Sequence, residues 1–250
     1  MKNTERFTDR VESYVKYRPD YPPAVFDVFR EEMGLTADKV VCDVGAGTGM
    51  SARMFLQNGN AVIGVEPNDA MRSAAESSLA GFDRFKVVKG TAEATGLPDD
   101  SVDLVLAAQA FHWFDAPAAR LEFKRILRPG GWMAIIWNDR LLDADDFHRG
   151  FEELMLKFGT DYKSVRHNNI KKSDLIDLFG CEPRHRSFEN VQVLDLQGLA
   201  GRVRSSSYMP TEGDPAFVPM SAELRSLFAK YAENGRIKLL YQTDVFYGRL

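Results

Sequence analysis

The segment that most constrains this chain is Lys39-Val40-Val41-Cys42-Asp43-Val44, which runs directly into Gly45-Ala46-Gly47-Thr48-Gly49. A short, β-branched, apolar run of this kind suits a strand buried on both faces. The glycines then permit a turn too tight for side chains. Residues 50–57 follow with Met50, Met54 and Phe55 at helical spacing, and Asn58-Gly59 ends them. A buried strand, a glycine turn and a helix in immediate succession open a parallel α/β sheet rather than a bundle or a sandwich.

The alternation continues. Strands are predicted over 61–65, 85–88, 102–108 and 132–137, the last following Arg128-Pro129-Gly130-Gly131. Pro67-Asn68-Asp69 starts a helix that Gly81 stops, and Asp115-Ala116-Pro117 starts another with an Asp cap and a proline in the first turn. Five such strands joined by helices define a doubly wound α/β fold, in which crossovers are right-handed and ligands gather at the carboxyl ends of the strands. Helices are also predicted over 8–17, 23–33, 145–158 and 221–234, with a short one after Ser173. Further strands are predicted over 184–194 and 237–248, and 160–172 reads as loop. The expected organisation is a helical cover over 1–34, a ligand-binding core over 35–140, a substrate lid with a sheet extension over 141–220, and a helix and strand over 221–250 that complete the sheet.

Composition narrows the function. At 250 residues the chain is one large domain or a domain with a substantial insertion. Its 32 Lys+Arg against 36 Asp+Glu leave a net charge of −4, so neither nucleic acid nor an anionic membrane is an expected partner. Cys42 and Cys181 lie far apart and suit a reducing compartment. The charged first twenty residues predict no secretory signal, and no apolar run approaches the ~18 residues of a membrane span. A cytoplasmic protein, monomeric or homodimeric, is expected. No metal is expected either: His112, His148, His167 and His185 have no ligand spacing, and Asp143, Asp145 and Asp146 lack the later glycine and glutamate of a calcium loop.

Gly45 and Gly47 would bring backbone N–H groups close to a ligand while the next helix points its positive end there. Glu66 closes the second strand about twenty residues on, where an acid takes both hydroxyls of a ribose. The third glycine of a dinucleotide loop is Met50 here. No Gly-Lys pair exists for a Walker loop, and the nearest approaches to a Tyr-x-x-x-Lys pair, from Tyr14 and from Tyr162, both end in Arg.

Together, Asp43 to Gly49, Glu66-Pro67, Gly90-Thr91-Ala92-Glu93 and Arg128-Pro129-Gly130-Gly131 resemble the class I S-adenosylmethionine-dependent methyltransferases, in the branch called type 11. Tyr17-Arg18-Pro19-Asp20-Tyr21-Pro22, the phrase from Ala108 to Phe114 and the closing strand resemble more narrowly the trans-aconitate methyltransferase-like group. The resemblance implies a Rossmann-like, seven-stranded sheet of order 3-2-1-4-5-7-6 with the last strand antiparallel and a helical insertion. The implied reaction is methyl transfer from S-adenosylmethionine to a small molecule, a carboxylic acid among the acceptors. An RNA or protein methyltransferase, or a cofactor-binding protein without catalysis, remains the alternative.

The resemblance also implies roles. Gly45, Ala46 and Gly47 would contact the methionine part of the cofactor, while Asp43 would brace the loop or meet the amino group. Glu66 would hold the ribose, and Pro67 and Met71 would line the adenine. Thr91, Ala92 and Glu93 would reach the adenine edge, and Gln109 would lie beneath the sulfonium. Tyr14, Tyr17 and Arg18 would cover the site, with Arg18 pairing the cofactor carboxylate. His112 and Trp113, just past the fourth strand, are the candidates for acceptor contact, His112 also as a general base. The basic residues of the insertion, Arg166, His167, Arg202 and Arg204 among them, suit an anionic small substrate if they form a lid with Tyr208.

Overall fold

Burial separates the strands as their composition does. In the computed structural model, which describes residues 10–162 and 171–250, β1 (Val40–Val44) and β4 (Val102–Ala108) lie at the centre of the sheet and are almost wholly buried. β2 (Ala61–Val65) is similar, whereas β3 (Phe85–Val88) forms an edge and is only half-buried. The remaining strands are β5 (Leu127–Arg140), β6 (Arg184–Leu194) and β7 (Ile237–Arg249), and the seven form one sheet of order β3-β2-β1-β4-β5-β7-β6. β1 to β5 are parallel; β7 enters antiparallel to β5, and β6 pairs antiparallel with β7. Order and polarity are those the sequence resemblance implied.

The helices before β5 are α1 (Val11–Tyr17), α2 (Pro23–Asp27), α3 (Met50–Gln57), α4 (Asp69–Ser78) and α5 (Ala116–Ile126). Asn68 caps α4 by accepting from the Met71 N–H at 3.0 Å, and Asp115 caps α5 through the Ala118 N–H at 3.2 Å. The predicted helix over 23–33 is α2 followed by a π-helical turn, Val28–Glu32. Of the first predicted helix, Thr8 and Asp9 fall outside the described residues, as do Arg166 and His167. Alternating side chains give the sheet two apolar faces. Cys42, Val105, Met133 and Ile135 point to one face, and Val41, Leu104, Ile136 and Val245 to the other.

Past β5 come α6 (Asp146–Phe158), α7 (Lys172–Phe179), α8 (Leu196–Arg204) and α9 (Phe217–Tyr231). α6, α8 and α9 enclose a third apolar cluster with the start of β7, built on Phe147, Phe151, Leu199, Leu224 and Leu239. Three elements differ from expectation. α8 was not foreseen, because Gly198 and Gly201 interrupt its apolar pattern; Gly201 is what lets the Tyr17 ring lie against the helix, since a Cβ there would come within 2.3 Å of it. α9 starts earlier than 221, with Pro219 tolerated in its first turn. β5 runs on to Arg140 because β7 flanks it as far as Tyr241, and this extension carries Asn138 and Arg140 into the site. No helix among the described residues is long and apolar enough to cross a membrane.

Candidate active site

β1 ends at the glycine turn, whose three glycines all have left-handed backbones. Gly45 (φ +70°) is also crowded: a Cβ there would lie 2.6 Å from that of Ala110. The N–H groups of Gly45 and Ala46 donate to the Val65 carbonyl at 2.8 and 3.2 Å, tying the turn to the end of β2. Glu66 follows directly. Its Oε2 accepts from the Gly47 N–H and its Oε1 from the Asn68 N–H, both at 2.9 Å. Each carboxylate oxygen keeps a second lone pair, so Glu66 can brace the turn and still accept from a ligand. Burial raises its pKa, and the two backbone N–H bonds and Arg72 oppose that rise.

Asp43 lies beneath the turn. It is fully buried and accepts from Ser51 Oγ at 2.6 Å, across the first turn of α3. Burial pushes its pKa up to about 7, opposed by the Ser51 hydrogen bond. Of its two expected roles, this placement matches bracing of the loop; Asp43 does not line the cavity.

The cavity, of about 310 Å³, opens above the carboxyl ends of β1, β2, β4 and β5. Among the described residues that the sequence marked for cofactor or acceptor, all line it except Asp43, Tyr17 and Arg204. Tyr17 sits outside because its ring is occupied by Gly201, while its carbonyl accepts from Gln192 Nε2 at 2.9 Å. Glu93 lines the cavity with one oxygen already accepting from the Asp115 N–H at 2.9 Å. Gln109 has φ +57°, a conformation that a residue with a side chain adopts at a cost of order 1–3 kcal/mol and that clusters at functional sites. Past it, Phe111–Trp113 form a single 3₁₀ turn. Phe111 packs on Trp137 with ring centroids 6.1 Å apart, and Phe114 on Phe123 at 6.3 Å. These two anchors fix the turn, leaving His112 and Trp113, with centroids 4.5 Å apart, on the cavity wall.

The cavity has lining residues that the sequence did not single out, notably Tyr21, Asn138, Arg140 and Tyr162. Asn138 and Arg140 carried one usable signal, their position at the carboxyl end of a parallel strand. Asn138 holds the cover down. Its Nδ2 reaches the Asp20 carbonyl at 3.3 Å, Asn190 Nδ2 reaches the same carbonyl at 2.8 Å, and Thr243 donates to the Asn138 Oδ1.

The group this site would hold can be tested against these residues. The glycine turn carries no side chain at Gly45 and Gly47, so a polar chain can approach its backbone at the start of α3; Glu66 lines the cavity with lone pairs to spare, and Met71 and Pro67 supply an apolar wall. That donor, acceptor and apolar set fits an adenosine bearing an amino-acid tail.

Comparison with known proteins agrees. Residues 42–135 match the family described as methyltransferase domain. An uncharacterized methyltransferase of Mycobacterium tuberculosis is 33% identical over 244 residues, covering 95% of this chain and 92% of that one. An uncharacterized methyltransferase-like protein of Schizosaccharomyces pombe is 28% identical over 246 residues, covering 96% and 93%. Among solved structures, a putative type II methyltransferase from Anaeromyxobacter dehalogenans shares the fold with a TM-score of 0.61 at 19% identity, covering 93% and 98%. The chain belongs to the methyltransferase family. It is an S-adenosylmethionine-dependent methyltransferase, and S-adenosylmethionine is its cofactor.

Proposed function

We propose that the protein transfers the methyl group to a small molecule, with small carboxylic acids the first class of acceptor. The observation that carries this reading is a cavity of about 310 Å³ that joins the glycine turn to His112, Trp113 and Tyr208. Such a space admits a cofactor and a small acceptor, and a mildly acidic chain offers little to a nucleic-acid backbone. The likeness to the trans-aconitate methyltransferase-like group supports the same class. Bound here, S-adenosylmethionine supplies a methyl on positively charged sulfur, which an acceptor lone pair takes as the carbon–sulfur electrons return to sulfur.

In this reading Gly45, Ala46, Gly47 and Arg18 hold the amino-acid tail, Glu66 the ribose, and Pro67, Met71, Thr91, Ala92 and Glu93 the base. Gln109 and Tyr14 face the reacting end, where aromatic surface adds ~0.5–2 kcal/mol of attraction for a cation. Trp113 and Tyr208 orient the acceptor, and His112 takes its proton where the attacking atom has one. The domain 141–220 acts as the lid, the location is cytoplasmic, and the protein is a monomer or homodimer. The test is a screen of small carboxylic acids, phenols and amines for S-adenosylhomocysteine formation by the purified chain. Turnover of a small acid is expected; turnover of RNA or protein substrates alone would overturn the reading.

A further inference from the structure

The lid end of the cavity gathers guanidinium groups from three elements: Arg18 after α1, Arg140 at the end of β5 and Arg202 on α8. The Arg140 side chain and Arg202 are each only 9% exposed. Arg140 directs Nη2 to Glu152 and to the Tyr162 hydroxyl at 2.9 Å, yet its Nη1 is buried with no hydrogen-bond partner among the described residues. Arg202 is fixed by Tyr241 Oη at 3.1 Å and Ser206 Oγ at 3.1 Å, with Arg18 donating to the Ser205 carbonyl at 3.1 Å close by. Burial first, and then the Arg202 charge, hold Arg18 below its ordinary pKa, which places those two cations in one neighbourhood. Among the described residues Glu152 is the one carboxylate ion-paired with any of the three. Aromatic rings supply part of the compensation: Phe151 under Arg140 at 4.8 Å, Tyr14 under Arg18 at 4.7 Å and, against the lowering by burial, the tyrosines around Arg202 that hold its pKa above the ordinary value. An anion joining Arg140 and Arg202 would supply the opposite charge that the rings do not.

We propose that Arg140 and Arg202 form an oxyanion subsite for the acceptor, holding a carboxylate or phosphate that keeps its charge while a separate hydroxyl or amine accepts the methyl at the His112–Trp113 end. This rests on the methyl-transfer reading and makes these arginines its specificity-determining residues. Forked donors engage the very lone pairs that would attack, so the anion they hold is the poorer nucleophile. Methylating that anion to a neutral ester would also discard its pairing with the arginines. The new carbon–oxygen or carbon–nitrogen bond therefore forms at the other atom, whose proton passes to His112.

The test is calorimetric titration of succinate, and separately of inorganic phosphate, into the full chain saturated with S-adenosylhomocysteine. One of the two anions should bind, which also decides between carboxylate and phosphate. Arg140→Gln should weaken that anion roughly tenfold or more, while affinity for S-adenosylhomocysteine stays within about threefold. Because Arg140→Gln removes the cation that faces Glu152, which otherwise accepts from the Tyr162 hydroxyl at 2.7 Å, the double variant Arg140→Gln/Glu152→Gln is measured beside it, with the same expectation. Binding of neither anion, or unchanged anion affinity in a folded variant, overturns the proposal and leaves methyl transfer standing. A tenfold loss of S-adenosylhomocysteine affinity also overturns it, by moving Arg140 to the cofactor. If the wild-type chain fails to bind S-adenosylhomocysteine at all, the methyl-transfer reading itself falls.

Discussion

The two ends of the cavity are assembled from different material. At one end, Gly45, Gly47 and Glu66 lie close in sequence and are locked to one another by backbone hydrogen bonds, with Glu66 accepting from two loop amides at 2.9 Å. At the other, Asn138, Arg140, Tyr162, Arg202 and Tyr208 arrive from widely separated segments and meet through side chains. A turn closed by its own backbone tolerates little change, because the glycine conformations and the β1–β2 pairing fix it together. A wall made of side chains carried on α8, the end of β5 and the segments between them can alter one residue at a time. In the function proposed above, the cradle takes the cofactor that a family shares, and the opposite wall selects the acceptor.

The sharpest way to break this comparison is Glu66→Ala. It removes the acceptor for the Gly47 and Asn68 amides as well as the proposed ribose contact, and should weaken S-adenosylhomocysteine binding by roughly 10- to 100-fold, ~1.5–3 kcal/mol, by calorimetry. Unchanged affinity in a folded variant would mean the cradle holds its ligand without this acid. Next comes His112→Ala, on the cavity wall where the acceptor is proposed to sit. Turnover should fall, by about 10²-fold where His112 removes a proton, with cofactor affinity within about twofold. A loss of cofactor binding instead would erase the boundary drawn between the two ends.

The smallest effect concerns Asp43, whose pKa in the folded chain is about 7. That lies above the ~3.9 of a free aspartate, so the group favours folding most below that ordinary value, and the contribution is lost as pH rises through about 7. Melting temperature should accordingly decline between pH 5 and pH 8, and Asp43→Asn, which can still accept from Ser51, should flatten the decline by a few degrees. An identical decline in the variant would assign the slope to other groups.

Much of the cradle was legible in advance. The run from Asp43 to Gly49 needs glycine for steric reasons that leave a sequence mark, and Glu66 stands where a parallel strand must end. His112 and Trp113 were legible for the same positional reason. Tyr17 was placed with the cover, but the absence of a side chain at Gly201 gave its ring a different seat. Arg140 was passed over because nothing before it showed that β5 would outlast Trp137, an extension that depends on β7, about a hundred residues away. Arg202 stood among many basic residues, and α8 has glycines at two positions where a helix pattern is normally read.

What the sequence alone determined is the doubly wound sheet, its glycine turn and the acid facing it, because backbone sterics and strand periodicity act over neighbouring residues. Which cations line one cavity, and that Asn138 ties the segment after α1 to the sheet while Asp43 serves the loop from below, was decided by tertiary structure. Those arrangements depend on distances between residues far apart in the chain, and local pattern carries no record of them.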